Sequence, residues 1–452
     1  MNNSEERVGE QAWNGIAAAL HAEVKAFLGP LLKVLDAHID KRLVRTVVLV
    51  VEAIIELRHS SHGLLLSELG GYILNAEQGP AGTKRLSNLL RSPKWHYGLI
   101  EQFLWQSGDR RVSALVASHE EALVVWDESV WEKPESKQSE GLCAVRSSKA
   151  KRLTHVKPGF YNPPGRPIFV PGMNWVSLLV LGMGGPPVVA AMRWWTTRGP
   201  RTSDRRSEEN KLLAVAYRRW GTQVLHIFDQ GFAGAPWLRL LFGYRQRFVL
   251  RWPLRYQLLD GQGRKRKAWE ICRGKRSFAT VTIRDARLQC LRSIGIYYVP
   301  VRHPEFPDVQ LWLIVSRQGK GKSPWYLLTN QAVDSVEAAV RLIRAYARRW
   351  QIEMAWRYLK SDLAFQSPRL WNWNNRLKLL LIATLAYAFL LTLLAPLLTG
   401  LRALLLRYWC HRTGKRCQDA LTPLYRLRSA LARLWSHFHQ PQPLSTPYLN
   451  SG

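Results

Sequence analysis

Residues 346–360 read YARRWQIEMAWRYLK, and the spacing of four side chains within them, Tyr346, Arg349, Glu353 and Lys360, decides how the chain is read. At about 100° per residue, offsets of three, seven and fourteen fall roughly 60°, 20° and 40° behind Tyr346 on a helical wheel, so one continuous helix would carry all four on a narrow stripe. Ile352, Trp356, Leu359 and Leu363 repeat at i, i+4, i+7 and i+11 on an adjacent face, the pattern of a helix packed on a core. One face anchors the helix while its neighbour presents an acid and two bases. Taken alone, Arg349 and Glu353 suit an i, i+4 surface pair equally well, worth roughly a few tenths of a kcal/mol.

Two apolar runs upstream end in acids. EALVVWDES is predicted to be a buried strand delivering Asp127 at its carboxyl end, and QVLHIFDQGFAG another delivering Asp229. Singly, each acid also fits a turn or a helix cap. Together with Glu353 they change the reading, because acids at the carboxyl ends of neighbouring strands converge and a helix across the sheet can add a third. Three carboxylates in one place repel unless cations lie between them. Hard oxygen ligands favour Mg²⁺ or Mn²⁺. Two such ions about 4 Å apart activate an attacking oxygen and stabilise a leaving one in displacement at phosphorus.

Composition points the same way. The 452 residues carry a formal charge of +32 and a pI near 10.4, an excess that contributes nothing to a fold and calls for a polyanionic partner. The basic residues recur from Lys133 to Arg166, Arg193 to Arg219, Arg245 to Arg292 and Arg341 to Arg376, so the polyanion is expected to touch several parts of a folded body rather than one tail. Nucleic acid leads and an anionic membrane surface comes second. Five scattered cysteines without a CxxC give neither a disulfide framework nor a zinc ribbon, and Cys410, His411 and Cys417 form only a weak metal-like cluster. The polar opening MNNSEERVGEQAWNG has no apolar signal core, so a reducing cytoplasm is expected. From Leu379 to Leu401 an uncharged apolar run is long enough to cross a bilayer, and it equally suits a helix buried in a large protein.

Residues 1–120 read as helical. Within them, GLLLSELGGYILNAEQGPAGTKRLSNLLRSPKW suggests a helix-turn-helix-like hairpin over about 60–95, its second helix capped by Thr83 and ended by Pro93, with Lys84, Arg85, Asn88 and Arg91 available to DNA. WVSLLVLGMGGPPVVAAMRWW reads as a hairpin, and its GMGGPP lacks the third glycine of a dinucleotide fingerprint. SEENKLLAVAYRRW is helical. From Arg245 to Lys322, β-like runs alternate with basic loops such as GRKRKAWE. The GKS of SRQGKGKSPW is no phosphate loop, because Ser316 stands where its first glycine is required.

Tyr346, Arg349, Glu353 and Lys360 match without departure the Y-(2)-R-(3)-E-(6)-K signature of the DDE transposases of insertion-sequence family four. VVWDES, HIFDQGFAG and the WYLLTN strand extend the resemblance over about residues 120–395. The resemblance implies an α/β fold with a ribonuclease H-like catalytic core, a mixed sheet flanked by helices, together with a β-rich insertion and helical N- and C-terminal regions. Its segments would be a DNA-binding region at 1–120, the first part of the core at 121–240, the basic insertion at 241–322, the second part of the core at 323–395 and a dimerising helical region at 396–452. Asp127, Asp229 and Glu353 would be catalytic and would hold two Mg²⁺ ions, with Mn²⁺ able to substitute. Tyr346, Arg349 and Lys360 would contact the DNA end, and Lys84, Arg85 and Arg91 would add contacts from the N-terminal helices.

In such enzymes water frees a 3′-hydroxyl at the transposon end, and that hydroxyl then attacks target DNA. Some members pass through a hairpin, with an aromatic residue holding a flipped base, for which Trp237, Trp252 and Trp269 are candidates. The implied partners are double-stranded DNA, at the terminal inverted repeats and the target, and a second copy of the chain. No membrane is implied, the apolar run becoming a buried or interface helix, and the setting is a prokaryotic cytoplasm on the nucleoid. Two alternatives stay open: a DNA-binding descendant that has lost activity, and a basic membrane-anchored protein.

Overall fold

The computed structural model describes residues 3–58, 62–136, 138–147, 167–285, 290–319, 323–410 and 424–438. The basic loop at 148–166, most of the GKS stretch at 320–322, and His411 with Cys417 lie outside the described residues. The chain divides into two compact units. One comprises residues 1–103, 138–140 and 357–452; the other comprises 104–137 and 141–356.

The first unit is helical. It contains α1 (Asn3–Asp36), α2 (Lys41–Glu56), α3 (Leu66–Ile73), α4 (Gly79–Arg91) and the start of α5 (Gly98–Ala117). Asp40 caps α2 by accepting from the Arg42 and Leu43 N–H groups. α3 and α4 meet backbone to backbone at Gly70 and Gly82, where a Cβ on Gly82 would stand 2.1 Å from the Gly70 carbonyl oxygen. α4 begins four residues before Thr83, with Pro80 in its first turn, so Thr83 is no cap. Its hydroxyl lies inside the helix and donates to the Gly79 carbonyl at 2.9 Å. The helix ends at Arg91, ahead of Pro93, as expected.

Among the described residues, the second unit is built on one twelve-stranded mixed sheet. β1 (Ala122–Glu132), β2 (Cys143–Arg146), β3 (Phe169–Leu181) and β4 (Val188–Trp195) come first. α6 (Arg205–Trp220), β5 (Val224–Phe228), α7 (Ala235–Gly243) and β6 (Arg247–Arg251) follow. Next come β7 (Gln257–Leu259), β8 (Lys265–Lys267), the single-turn α8 (Ala268–Ile271), β9 (Ala279–Asp285), β10 (Cys290–His303), β11 (Phe306–Arg317) and β12 (Trp325–Thr329). The strand order is β2-β3-β1-β5-β6-β12-β11-β10-β7-β8, with β4 also on β3 and β9 on β10. β1, β5 and β6 run parallel to one another, while β1–β3 and β3–β4 are antiparallel.

The β3–β4 hairpin turns at GMGGPP as expected. Two strand expectations are altered. β1 does not end at Asp127 but runs on to Glu132, paired throughout with β3; what ends near Asp127 is its parallel pairing with β5, last made at Val125↔Ile227. β6, inside the stretch expected to be an insertion, is a central strand between β5 and β12, and β10 and β11 extend the same sheet. An apolar run alternating with basic loops reads alike in either place.

α9 (Val336–Ala347) and α10 (Trp350–Ser361) carry the opening stretch, α10 crossing from the second unit into the first at Trp356/Arg357. The remaining helices, α11 (Trp373–Thr392), α12 (Thr399–Tyr408) and α13 (Leu424–Phe438), belong to the first unit. α11 takes up most of the uncharged run. Among the described residues, two helices are long and apolar enough to span a bilayer: Gly9–Asp36, with 28 % of its apolar window buried, and α11, with 89 % buried. Near its start α11 carries two enclosed cations that bond other backbone ends. Lys378 donates to the Leu90 and Ser92 carbonyls at the end of α4, over the Trp95 ring, and Arg376 donates to the carbonyls of Leu370 and Glu140. Arg428 of α13 likewise bonds the Ile54, Ile55 and Leu57 carbonyls at the end of α2. Lys378 and Arg428 take carbonyls that a helix end would leave unsatisfied, and Arg376 takes loop carbonyls.

Candidate active site

The expected continuous helix is broken. α9 stops at Ala347, Arg348 and Arg349 form a turn, and α10 starts at Trp350. Bonds at the break tighten to an i to i−3 pattern: Arg349 N–H to Tyr346 O, Gln351 to Arg348 and Ile352 to Arg349. Arg348 supplies a reason for the turn. Its guanidinium reaches the β3–β4 turn, donating to the Gly182, Gly184 and Gly185 carbonyls at 3.2, 3.4 and 2.5 Å. Arg348 thus ties the break to the sheet, and Arg349 enters among the acids.

Asp127 and Asp229 stand level on adjacent strands. Asp127 lies two residues past Val125 and Asp229 two past Ile227, the last parallel pair of β1 and β5. Asp229 follows β5 directly and opens a 3-10 turn, Gln230–Phe232. Asp127 shares its face of the sheet with the opposed Ser177 and, two residues along β3, with Trp175. α10 packs there through Trp356, whose ring centroid is 4.2 Å from that of Trp175. The Trp356 indole N–H also donates to Asp127 Oδ2 at 3.0 Å, and the Glu128 backbone N–H to Oδ1 at 2.9 Å. Trp356 is therefore both the core anchor that the periodicity indicates and a ligand of the first acid.

Arg349 links the acids. It pairs with Glu353 through one nitrogen, and the other stands 3.9 Å from Asp127 Oδ2. Asp127 is pushed up to about 6, chiefly by burial and with help from the negative charges of Asp229 and Glu353, against the pull of Arg349 and the Glu128 N–H. Burial also opposes the Arg349 charge, but the carboxylates of Asp229, Glu353 and Asp127 outweigh it and hold the guanidinium protonated more firmly than a free one. The Tyr346 hydroxyl lies 3.5 Å from Asp229 Oδ1, with its ring edge-on to Trp325. Burial raises Tyr346 to about 12, so it is a neutral donor at physiological pH.

Tyr346, Arg349, Glu353, Asp127 and Asp229 are thus brought together. Among the described residues no group of three or more His, Cys, Asp or Glu side chains is disposed to share one metal ion. Arg349 supplies the counter-charge instead. The donors are nevertheless the hard carboxylate oxygens that Mg²⁺ or Mn²⁺ takes, and three mutually repelling acids suit such a charge once the guanidinium leaves Glu353.

Lys360, Lys84, Arg85 and Arg91 belong to the first unit. Lys360 falls past the Trp356/Arg357 division, in the part of α10 belonging to the first unit. Lys84 and Arg91 are exposed on α4, in line with Asn88. Arg85 is half-buried and bonded to α2, donating to Thr46 Oγ1 at 2.8 Å and to the Arg42 carbonyl at 3.3 Å. Of the aromatic candidates, Trp237 and Trp252 are enclosed in the core of the second unit, with 0 % and 2 % exposure, where no base can stack on them without repacking. Trp269 is half-exposed, under Arg273.

Sequence reasoning missed what lies on the reverse face of the sheet. Glu128 points away from Asp127 toward α6, where Arg205 Nε stands 2.6 Å from it and 2.9 Å from Glu209, which is wholly buried. Burial and the adjoining Glu209 carboxyl both raise the proton affinity of Glu128. An acid beside Asp127 was visible in WDES, but nothing in the sequence linked it to SEEN of α6.

Comparison with known proteins bears on the same segment. Residues 200–389 match the transposase DDE domain family. That domain match covers Asp229, Tyr346, Arg349, Glu353 and Lys360, begins after Asp127 and takes in less than half of the chain. No curated protein matches the chain. Among solved structures, the cryo-EM structure of the piggyBac transposase synaptic complex with hairpin DNA is similar at 12 % identity and a TM-score of 0.34, covering 71 % of this chain and 55 % of that one. The chain therefore spans about half the length of that relative.

Proposed function

We propose that the protein is a DNA transposase that cuts the phosphodiester bond at transposon ends and transfers the freed 3′-hydroxyl end into target DNA. The observation that carries this is the level placement of Asp127 and Asp229 on adjacent parallel strands with Glu353 in electrostatic range, the latter two within the matched transposase DDE domain. The order β4-β3-β1-β5-β6, three antiparallel strands and then two parallel to the first, supports a ribonuclease H-like core. Asp127, Asp229 and Glu353 would hold two Mg²⁺ ions, with Mn²⁺ able to substitute, and when bound these would activate the attacking oxygen and stabilise the leaving one. Arg349, freed from Glu353, and Tyr346 would turn their donors to the phosphates beside the cut. Lys360 and the exposed Lys84 and Arg91 would bind DNA further along, while two copies of the chain pair two ends.

The charge of +32 supports DNA as the polyanion. A second reading has its own support: with Arg349 bridging Asp127 and Glu353, the cluster also suits a DNA-binding protein that no longer cuts. End-bearing DNA incubated with the full chain and Mn²⁺ separates the two. Cleavage that needs the metal and disappears in Glu353→Ala, with DNA binding kept, supports the transposase. Binding without cleavage at any metal concentration supports the other.

A further inference from the structure

We propose that Arg205 is a positioning residue that holds Asp127 and Asp229 at a set separation from the reverse face of the sheet. The need for such a device follows from the register. β1 and β5 make their last parallel pair at Val125↔Ile227, so no backbone ladder joins the two strands at the level of the acids. Beyond that point Asp229 enters a 3-10 turn, while β1 continues on β3 alone.

Arg205 spans this gap. It is the first residue of α6, whose N-cap Asp204 accepts from the Ser207 N–H. Its Nε stands 2.6 Å from Glu128, the residue after Asp127, and its Nη2 donates at 3.0 Å to the carbonyl of Gly231, two residues past Asp229. The guanidinium lies over the Phe232 ring, 5.2 Å from its centroid. One rigid planar group therefore ties the side chain next to one acid, Glu128, to the backbone beside the other, at Gly231.

Arg205 is itself held. Glu209, with no exposure, takes Arg205 on one oxygen at 2.9 Å and Arg206 on the other at 2.8 Å, and Arg206 lies over Trp237. Because successive strand residues face opposite ways, the Glu128 side chain and Arg205 lie behind the sheet, and Glu128 meets Asp127 only through its backbone N–H. The fork acts on the two acids indirectly, through the Glu128 side chain and the Gly231 carbonyl, and a lysine, with a single point donor, can keep only part of it.

This inference rests on the metal-dependent reading above, and the test separates their failures. The full chain and its Arg205→Ala and Arg205→Lys variants are compared for Mn²⁺ affinity by calorimetry without DNA, for the Mn²⁺ concentration giving half-maximal end cleavage, and for Tm. Partners behind metal ligands typically matter about 10- to 100-fold in affinity. Arg205→Ala is expected to bind Mn²⁺ at least about tenfold more weakly and to raise the half-maximal concentration in proportion, with cleavage at saturating Mn²⁺ within about threefold of the parent. Arg205→Lys should fall between, and it carries the test if the alanine variant does not fold. Unchanged Mn²⁺ affinity overturns the inference. So does cleavage reduced equally at every Mn²⁺ concentration together with a lowered Tm, the mark of a merely structural role. A parent chain that binds Mn²⁺ but never cleaves overturns the transposase reading while the affinity comparison still decides the role of Arg205; a parent that binds no Mn²⁺ overturns both.

Discussion

Replacing Asp127 by asparagine should make the metal-free protein more stable while abolishing the cleavage proposed for it. In the fold the Asp127 carboxyl is pushed from 3.8 up to about 6, first by burial and then by Asp229 and Glu353. The sign follows from linkage. A carboxyl that holds its proton more tightly when folded favours the fold at low pH, and that contribution is lost as pH rises from about 4 through about 6. At 1.36 kcal/mol per pH unit, the charged Asp127 therefore costs the fold about 3 kcal/mol at pH 8. Asparagine keeps the shape and an oxygen that can accept from the Trp356 indole, but carries no charge to desolvate.

Thermal unfolding in chelator at pH 5, 6, 7 and 8 reads the effect. At roughly 2 °C per kcal/mol for a unit of this size, the Asp127→Asn transition should lie about 6 °C above the parent at pH 8, and the gap should narrow to about half of that by pH 5. A variant equal to or less stable than the parent at pH 8 would refute the account, as would a gain of the same size at every pH. The first outcome would mean that the bond from Trp356 and the pairing with Arg349 outweigh desolvation. The second would place the gain elsewhere than in the charge.

Two further outcomes are expected. Arg349→Gln removes the cation standing against Glu353 and Asp127, so Mn²⁺ measured by calorimetry without DNA should bind several-fold more tightly, while affinity for end-bearing DNA in a mobility shift falls. His226 is fully enclosed and pushed down to about 4 by burial; the Trp126 indole donates to its Nδ1 at 2.9 Å, so its proton sits on Nε2 and is donated to Gln246. Its NMR signals should stay those of the neutral Nε2–H tautomer down to pH 5, and the stability it contributes should be present above pH 6.5 and be lost as pH falls toward 4.

The sequence by itself determined the local elements and the identities of the acids. Apolar runs bounded by turn residues marked β1, β5 and β12, GMGGPP marked the hairpin, and the spacing of Ile352, Trp356, Leu359 and Leu363 marked the buried face of the helix carrying Glu353. These features are short-range, set by the two periodicities of the backbone and the conformational limits of glycine and proline. Charge likewise pointed to a polyanion, because net charge is a property of composition.

Only the tertiary structure decided the rest. How far the uncharged run from Leu379 is enclosed depended on what surrounds it, which composition does not say; in the fold most of it lies in α11, whose apolar window is 89 % buried, and the α11 cations Arg376 and Lys378 bond carbonyls far away in sequence. The break at Arg348 was invisible because neither glycine nor proline marks it. It follows from a guanidinium reaching a hairpin turn more than 160 residues earlier in the chain. Asp127, Asp229 and Glu353 were legible as residues, but Arg349 among them, Trp356 on Asp127, and Arg205 behind the sheet are contacts between distant segments, set when strands choose partners and helices choose faces. A pattern with a period of two or 3.6 residues says which face is buried, and not against what.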